Sequence, residues 1–241
     1  MTSPLLVSSD APRGLLAGSP RVISMPRKEQ VYSLLRQAII NSELAPGAPI
    51  NKELIAEQLG VSRTPISDAL ARLAGEGLVE IYPQTGSFVS RLRLETVETA
   101  QFVRLALETA AVRRVVARGD AAVVVQLEVL FARQANAVQQ QDFEGFHKLD
   151  EDMHDVLGRA TGLVGFAELA ARERSQIDRV RRLLLLYGKR MSATLSEHAE
   201  IIEAIRKTDA EAAVRAVTFH IGQMSLLLKE LRLTRPELFG D

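Results

Sequence analysis

No proline occurs between Gln84 and Arg235. Proline ends or kinks helices, so a gap of this length, filled with Ala, Leu, Arg and Glu, predicts a domain of several long helices. Four of the nine prolines instead lie in residues 1–26, among Ser, Gly and Ala and without a helical or strand period. That composition predicts a flexible N-terminal arm. The chain therefore reads as an arm over 1–26, a segment of mixed signals over 27–94, a helical domain over 95–234 and a C-terminal tail over 235–241. At 241 residues it is long enough for a core in both folded segments.

In the mixed segment Val31, Leu34, Leu35, Ala38 and Ile39 form one apolar stripe at helical spacing. Pro46-Gly47 breaks the chain after it. A short helix is expected from Asn51, its N-cap, to Leu59, with Gly60 ending it. Ser62 is expected to cap a third helix that tolerates Pro65 in its first turn and buries Ile66, Ala69, Leu70 and Leu73. Val79–Tyr82 and Ser87–Arg91 read as two strands joined by Pro83-Gln84-Thr85-Gly86. Three helices and a hairpin predict a winged helix-turn-helix. The fold class is then mainly α, with this domain in front of an all-α bundle.

A helix, a tight glycine turn and a capped second helix can lay a recognition helix in the DNA major groove. The outward face of the third helix carries Arg63, Thr64, Ser67, Asp68 and Ala71. Arg63, in the first turn, is placed for a guanine edge or a phosphate. Lys52 is placed for a backbone phosphate, and the wing tip at Thr85 and Gly86 for the minor groove. Charge argues the other way. Residues 21–95 carry nine Lys and Arg against eight Asp and Glu, a small net charge for a DNA binder, and winged helices also serve as protein-interaction modules. The whole chain is formally neutral, with 30 basic and 30 acidic residues.

The stretch LLRQAIINSELAPGAPINKELIAEQLGVSRTPISDALARLAGEGLVEIYPQTGSFV closely resembles the DNA-binding domain of the GntR family of bacterial transcription regulators, through LGVSRTP and EGLV above all. The resemblance implies that Lys52, Arg63, Ser67 and Gly86 approach DNA. This chain departs from the family at Ser67, where arginine is usual. A serine hydroxyl cannot make the bidentate guanine contact of arginine. Recognition helices of this kind read half-sites in pairs, so a homodimer on operator DNA is expected.

Four histidines are present, His147, His154, His198 and His220, all in the helical segment. Asp150 and His154 stand four apart on a helix expected over about 142–161 and so leave one face. His198 lies beside the stripe Ile201, Ile202, Ile205, and His220 near Val217 and Met224. Polar ligands pointed into a bundle from separate helices can build a metal site, though a lone Asp-x-x-x-His pair is equally at home as satisfied core or surface residues. Imidazole with carboxylate suits Zn or Ni, and also Mn or Fe. His147 sits roughly 10.5 Å along the helix from His154, too far to share one ion with it, and is expected to be solvated or to support a ligand.

Residues 95–231 resemble the all-helical ligand-binding domain of the FadR-type, FCD branch of the same family, through LDEDMH, SEHAEIIEAI and FHIGQM, with Met153 where phenylalanine is common. The resemblance implies Asp150, His154, His198 and His220 as ligands to a divalent ion. It also implies that Arg104 faces a cavity and pairs with an effector carboxylate, a task that suits the guanidinium fork. The alternative for Arg104 is an i, i+4 salt bridge with Glu108. Arg179 or Arg182 is expected near the same bundle.

Cysteine is absent, which excludes disulfides, thiolate ligands and a cysteine nucleophile and fits a cytoplasmic protein. The strongly apolar run Leu183–Tyr187 is far short of the ~20 residues of a membrane span, and residues 1–26 do not resemble a signal peptide, so no membrane partner is expected. The leading expectation is a transcription regulator, of repressor type, controlled by a small organic acid. Two alternatives are a metal-dependent enzyme on a bundle and an interaction protein with a structural metal. An enzyme would need a positioned acid or base, for which Glu108 and His147 are the candidates.

Overall fold

The computed structural model describes residues 26–185 and 190–240; the arm except Pro26, and the end of the apolar run at 186–187, lie outside them. The chain divides into two compact units, one ending at Arg93 and including the C-terminal residues from Glu237, the other Leu94–Pro236.

The first unit holds α1 (Arg27–Ile40), α2 (Lys52–Leu59), α3 (Arg63–Gly75), β1 (Val79–Tyr82) and β2 (Gly86–Val89). Its core is the apolar stripe of α1, with Val31, Leu35 and Ile39, against Ile66, Leu70 and Leu73 of α3 and Leu78, Val79 and Val89 of the hairpin. Asn51 caps α2, its side chain accepting from the Leu54 amide at 2.9 Å. Gly60 ends α2 with φ of 61°, the left-handed conformation that lets the chain turn tightly into α3. Ser62 stands at the N-cap of α3 but its side chain makes no cap bond. The reason is local: the third helical residue is Pro65, which has no N–H to donate.

β1 and β2 pair antiparallel, with Tyr82 opposite Gly86. The second strand starts earlier than its composition predicts, where Gly86 pairs with Tyr82, and ends earlier, at Val89; beyond it the Leu92 amide donates to the Leu238 carbonyl at 2.9 Å. Leu238 is buried there, beside the fully buried Leu92. Residues 48–50 brace the other side of the wing: Ile50 donates to Ser87 and Val89 to Ala48. Around Glu76, Tyr32 and Arg36 of α1 bond its carboxylate, and the Arg72 guanidinium lies 3.6 Å from the Tyr32 ring centre.

The second unit is helical among its described residues: α4 (Leu94–Arg118), α5 (Ala121–Gln140), α6 (Phe143–Ala160), α7 (Phe166–Leu185), α8 (Met191–Arg206) and α9 (Ala210–Thr234). Asp120, Asp142 and Asp209 cap α5, α6 and α9 through their carboxylates. A Cβ at position 145 would collide with the Asp142 carboxylate, so glycine there lets the α6 cap close. α4 packs along α9 and α7, and α5 along α6 and α8. Val112, Leu127, Met153, Ile201 and Val217, one from each of α4, α5, α6, α8 and α9, meet in the fully buried core. By length and hydropathy α5 would be able to cross a membrane, but its buried face, which includes Gln134, packs inside this unit.

Candidate metal centre and nucleic-acid interface

In the first unit Arg63, Thr64 and Ser67 are exposed on α3, Gly86 is exposed on the wing, and Lys52 is half-buried at the start of α2. Arg63 is not free in solvent. Its Nη1 lies 3.2 Å from Oε1 of Glu53 on α2, a pair exposed on both sides. Glu53 had no distinguishing mark in the sequence. Arg27 Nη1 donates to the Gly60 carbonyl at 3.1 Å and ties the start of α1 to the turn before α3.

In the second unit Asp150 and His154 of α6, His198 of α8 and His220 of α9 come together, all buried, with one ligand atom from each within 4.8 Å of the others. The helix ladder explains the first pair, since residues four apart project from one face. The other two depend on packing. His198 Nε2 lies 3.3 Å from Asp150 Oδ1, and His220 Nε2 lies 3.3 Å from His154 Nε2.

Each ligand is held from behind. His198 Nδ1 donates to Gln134 Oε1 of α5 at 2.8 Å, and His220 Nδ1 donates to Glu197 Oε2 of α8 at 2.8 Å. Glu108 Oε2 of α4 sits 2.5 Å from His154 Nδ1. Asp150 Oδ2 is paired with Arg181 of α7. An oxygen at Nδ1 fixes the proton on that nitrogen and leaves Nε2 with a lone pair facing the centre.

The electrostatics favour an ionised Asp150 and neutral His154 and His220. Burial would raise the Asp150 carboxyl, but Arg181 and the imidazoles of His198 and His154 hold it well below the usual range. Burial likewise opposes ionisation of Glu108, and Arg104 and His154 overcome it. Burial pushes His154 down to about 3 despite Glu108, with Arg104 adding to the shift. Burial, reinforced by His198, holds His220 well below its ordinary value. Imidazoles that resist protonation, as His154 and His220 do, beside an ionised carboxylate suit a divalent ion.

Two atoms test the fit directly. Asp150 Oδ1 and His198 Nε2 are fully buried and, although 3.3 Å apart, form no hydrogen bond: with its proton at Nδ1 toward Gln134, His198 turns a lone pair toward that oxygen, so two acceptors face each other. A buried polar atom left unpaired is costly, and an ion bound between them would satisfy both. Three nitrogens and one oxygen suit a borderline divalent metal such as Zn or Ni. One contact competes. Arg104 Nη2 lies 2.8 Å from His154 Nε2, on the lone pair that a metal would use.

Arg104 and Glu108 do form the i, i+4 pair, at 2.6 Å, but as a buried one that bears on His154. Arg181 is the arginine that reaches the centre. Arg179 is buried elsewhere in α7, and Arg182 pairs with Glu144 at 2.7 Å. His147 is buried rather than solvated, with Nε2 3.3 Å from Glu151 Oε1. Sequence reasoning missed Gln134, Glu197 and Arg181. The place of Glu197 immediately before His198 was the nearest thing to a signal.

A cavity of about 330 Å³ opens beside the centre. Arg104, Arg181, His147 and His220 line one part of it, and Arg190 enters it while its guanidinium holds Glu197 Oε1 at 2.5 Å.

A winged helix-turn-helix with a basic residue at the head of its third helix, in one chain with a helical bundle around a buried polar centre, has the make-up of a DNA-binding regulator. Residues 27–89 match the bacterial regulatory proteins of the gntR family and residues 100–223 match the FCD domain, and the chain belongs to this family. It is 36% identical over 213 residues to an uncharacterized HTH-type transcriptional regulator in an unstable DNA locus of Streptomyces ambofaciens, covering 88% of this chain and 89% of that one. It is 28% identical over 218 residues to the HTH-type transcriptional repressor RspR of Escherichia coli K12, covering 90% and 96%. Among solved structures, McbR/YncC of E. coli shares the fold with a TM-score of 0.74 at 19% identity, covering 86% of this chain and 99% of that one. A GntR regulator from Rhodococcus sp. RHA1 does so with 0.71 at 24%, covering 84% and 98%. The chain is a DNA-binding transcription regulator and not an enzyme.

Proposed function

We propose that this regulator is a repressor whose operator binding is controlled by a small carboxylate held at a divalent metal in the helical domain. The observation that carries this is the pair of buried acceptors Asp150 Oδ1 and His198 Nε2, facing each other without a proton between them and converging with His154 and His220 beside a cavity lined by guanidinium groups. Asp150, His154, His198 and His220 are the ligands, for Zn or Ni, with Mn or Fe also compatible. When bound, the ion supplies positive charge and an open coordination position for a carboxylate oxygen. Arg104 supplies the second cation, forking onto the carboxylate once it leaves His154 Nε2.

In the first unit Arg63, Thr64 and Ser67 enter the major groove, Lys52 meets a phosphate and Gly86 brings the wing to the minor groove. The small net charge of this unit favours a homodimer on a two-fold operator, since one copy makes few phosphate contacts. Repression is supported by the relation to RspR, which is itself named a repressor. Such a protein works where the operator is, in the cytoplasm.

Fluorescence anisotropy on operator DNA tests the reading. The zinc-supplemented protein should release DNA when a cognate acid is added, and neither chelator-treated protein nor Arg104→Ala should respond to that acid. Acid-dependent release that persists in both would overturn the metal and Arg104 assignment together.

A further inference from the structure

The polar centre explains where a carboxylate would sit, and the rest of the cavity says what that carboxylate is attached to. Resting on the effector reading above, we infer that the ligand is a monocarboxylate with a hydrocarbon body, not a hydroxylated sugar acid or a dicarboxylate. Two independent features point there.

The first is the composition of the wall along α9. Its cavity-lining residues run from His220 to Thr234, about 21 Å of helix. The cationic and imidazole groups stand with His220 at one end. Beyond it come Ile221, Met224, Leu227 and Leu231, one or two per turn, faced by Phe143 and Phe146 of α6 and Met191 of α8. Hydroxyl groups carried into that part of the cavity would lose their hydration with few partners to replace it. Methylene groups gain there in proportion to the area they bury.

The second is the placing of the cations. The guanidiniums of Arg104, Arg181 and Arg190 line the cavity at its polar end, where they pair with Glu108, Asp150 and Glu197. A carboxylate at that end has cations beside it, whereas a second one carried along the apolar wall would be stranded from water without one.

Three six-carbon acids separate the possibilities: hexanoate, gluconate and adipate share chain length and differ in hydroxyls and in the second carboxylate. Isothermal titration of the zinc-supplemented full-length protein should show hexanoate binding at least about tenfold more tightly than either of the others, the scale set by burying several methylenes. Leu227→Gln should weaken hexanoate at least about fivefold and Leu227→Ala by less, both with unchanged zinc content. Gluconate or adipate binding as tightly as hexanoate would overturn the hydrocarbon class and leave the carboxylate reading standing. 1-Hexanol matching hexanoate would overturn the carboxylate reading itself. Binding of none of the four compounds would overturn both. Unchanged hexanoate affinity in the two Leu227 variants would remove the α9 wall from the site.

Discussion

The two units of this chain place polarity in opposite places. Among the described residues of the N-terminal unit the buried polar ones are two serines, Ser87 and Ser90, and the charged side chains stand at or near the surface. The C-terminal unit buries Arg104, Glu108, Asp150, three imidazoles and Glu197 around one point. Burying one such group without a partner costs several kcal/mol, so this set depends on its mutual pairs and leaves Asp150 Oδ1 and His198 Nε2 for a further partner. The contrast separates two ways of carrying function. A DNA-reading surface can change residue by residue with little effect on the fold, while an interior site is part of the fold and cannot.

The sharpest break between the units should come from single substitutions. Asp150→Ala leaves Arg181 buried without its carboxylate and should cost about 3–5 kcal/mol in urea unfolding. Arg63→Ala on the exposed face of α3 should stay within about 0.5 kcal/mol in the same measurement. Equal stability of the two variants would mean that the interior network carries no weight.

Metal should act on one unit alone. Free zinc at about 100 times its Kd should stabilise the protein by about 2.7 kcal/mol, and His198→Ala should abolish that gain. Thermal shift with a chelator control reads both, and an undiminished gain in the variant would remove His198 from the ligand set.

On DNA the asymmetry reverses. Arg63→Ala should weaken operator binding by about 1–3 kcal/mol if the guanidinium reads a base, measured by anisotropy against a scrambled duplex. A uniform loss on both duplexes would place Arg63 on phosphate instead.

Acid separates the units again, since every histidine of the chain lies in the helical segment. Unfolded, His154 takes up a proton near its ordinary 6.5; folded, it resists until about 3. The unfolded state therefore binds the extra proton in that window. The stabilisation is complete above pH 6.5 and falls by about 1.4 kcal/mol per pH unit between 6.5 and 3. Chelator-treated protein should lose helical-domain stability over that range before the first unit responds. Loss of both units together from pH 6.5 would contradict the assignment.

The smallest effect concerns Glu53. Its exposed pair with Arg63 is worth about 0.2–1 kcal/mol, so Glu53→Gln should tighten operator binding by a few-fold at most. Weaker binding would show that Glu53 positions Arg63 for DNA and does not compete with it.

What the sequence made legible follows the same division. The helix-turn-helix could be read because its signals are local: Asn51, Gly60 and Pro65 act on their immediate neighbours. Asp150 and His154 were legible through one helical interval. Gln134, Glu197 and Arg181 were not, because each meets its partner across 23 to 64 positions, and only packing decides which. Arg181 is the clearest case. α7 carries arginines at 179, 181 and 182, all compatible with a solvated face, and the phase of that helix against α6 selects the one that meets Asp150.

The hydrogen bonds behind the imidazoles have a spectroscopic consequence. The Nδ1–H protons of His198 and His220 are shut away from solvent against Gln134 and Glu197. They should exchange slowly with water and stand apart at the low-field end of a proton NMR spectrum, two reporters on the centre in its zinc form, which has no colour and no spin of its own. A ligand arriving in the cavity would shift the His220 resonance first, because His220 lines the cavity wall and His198 does not.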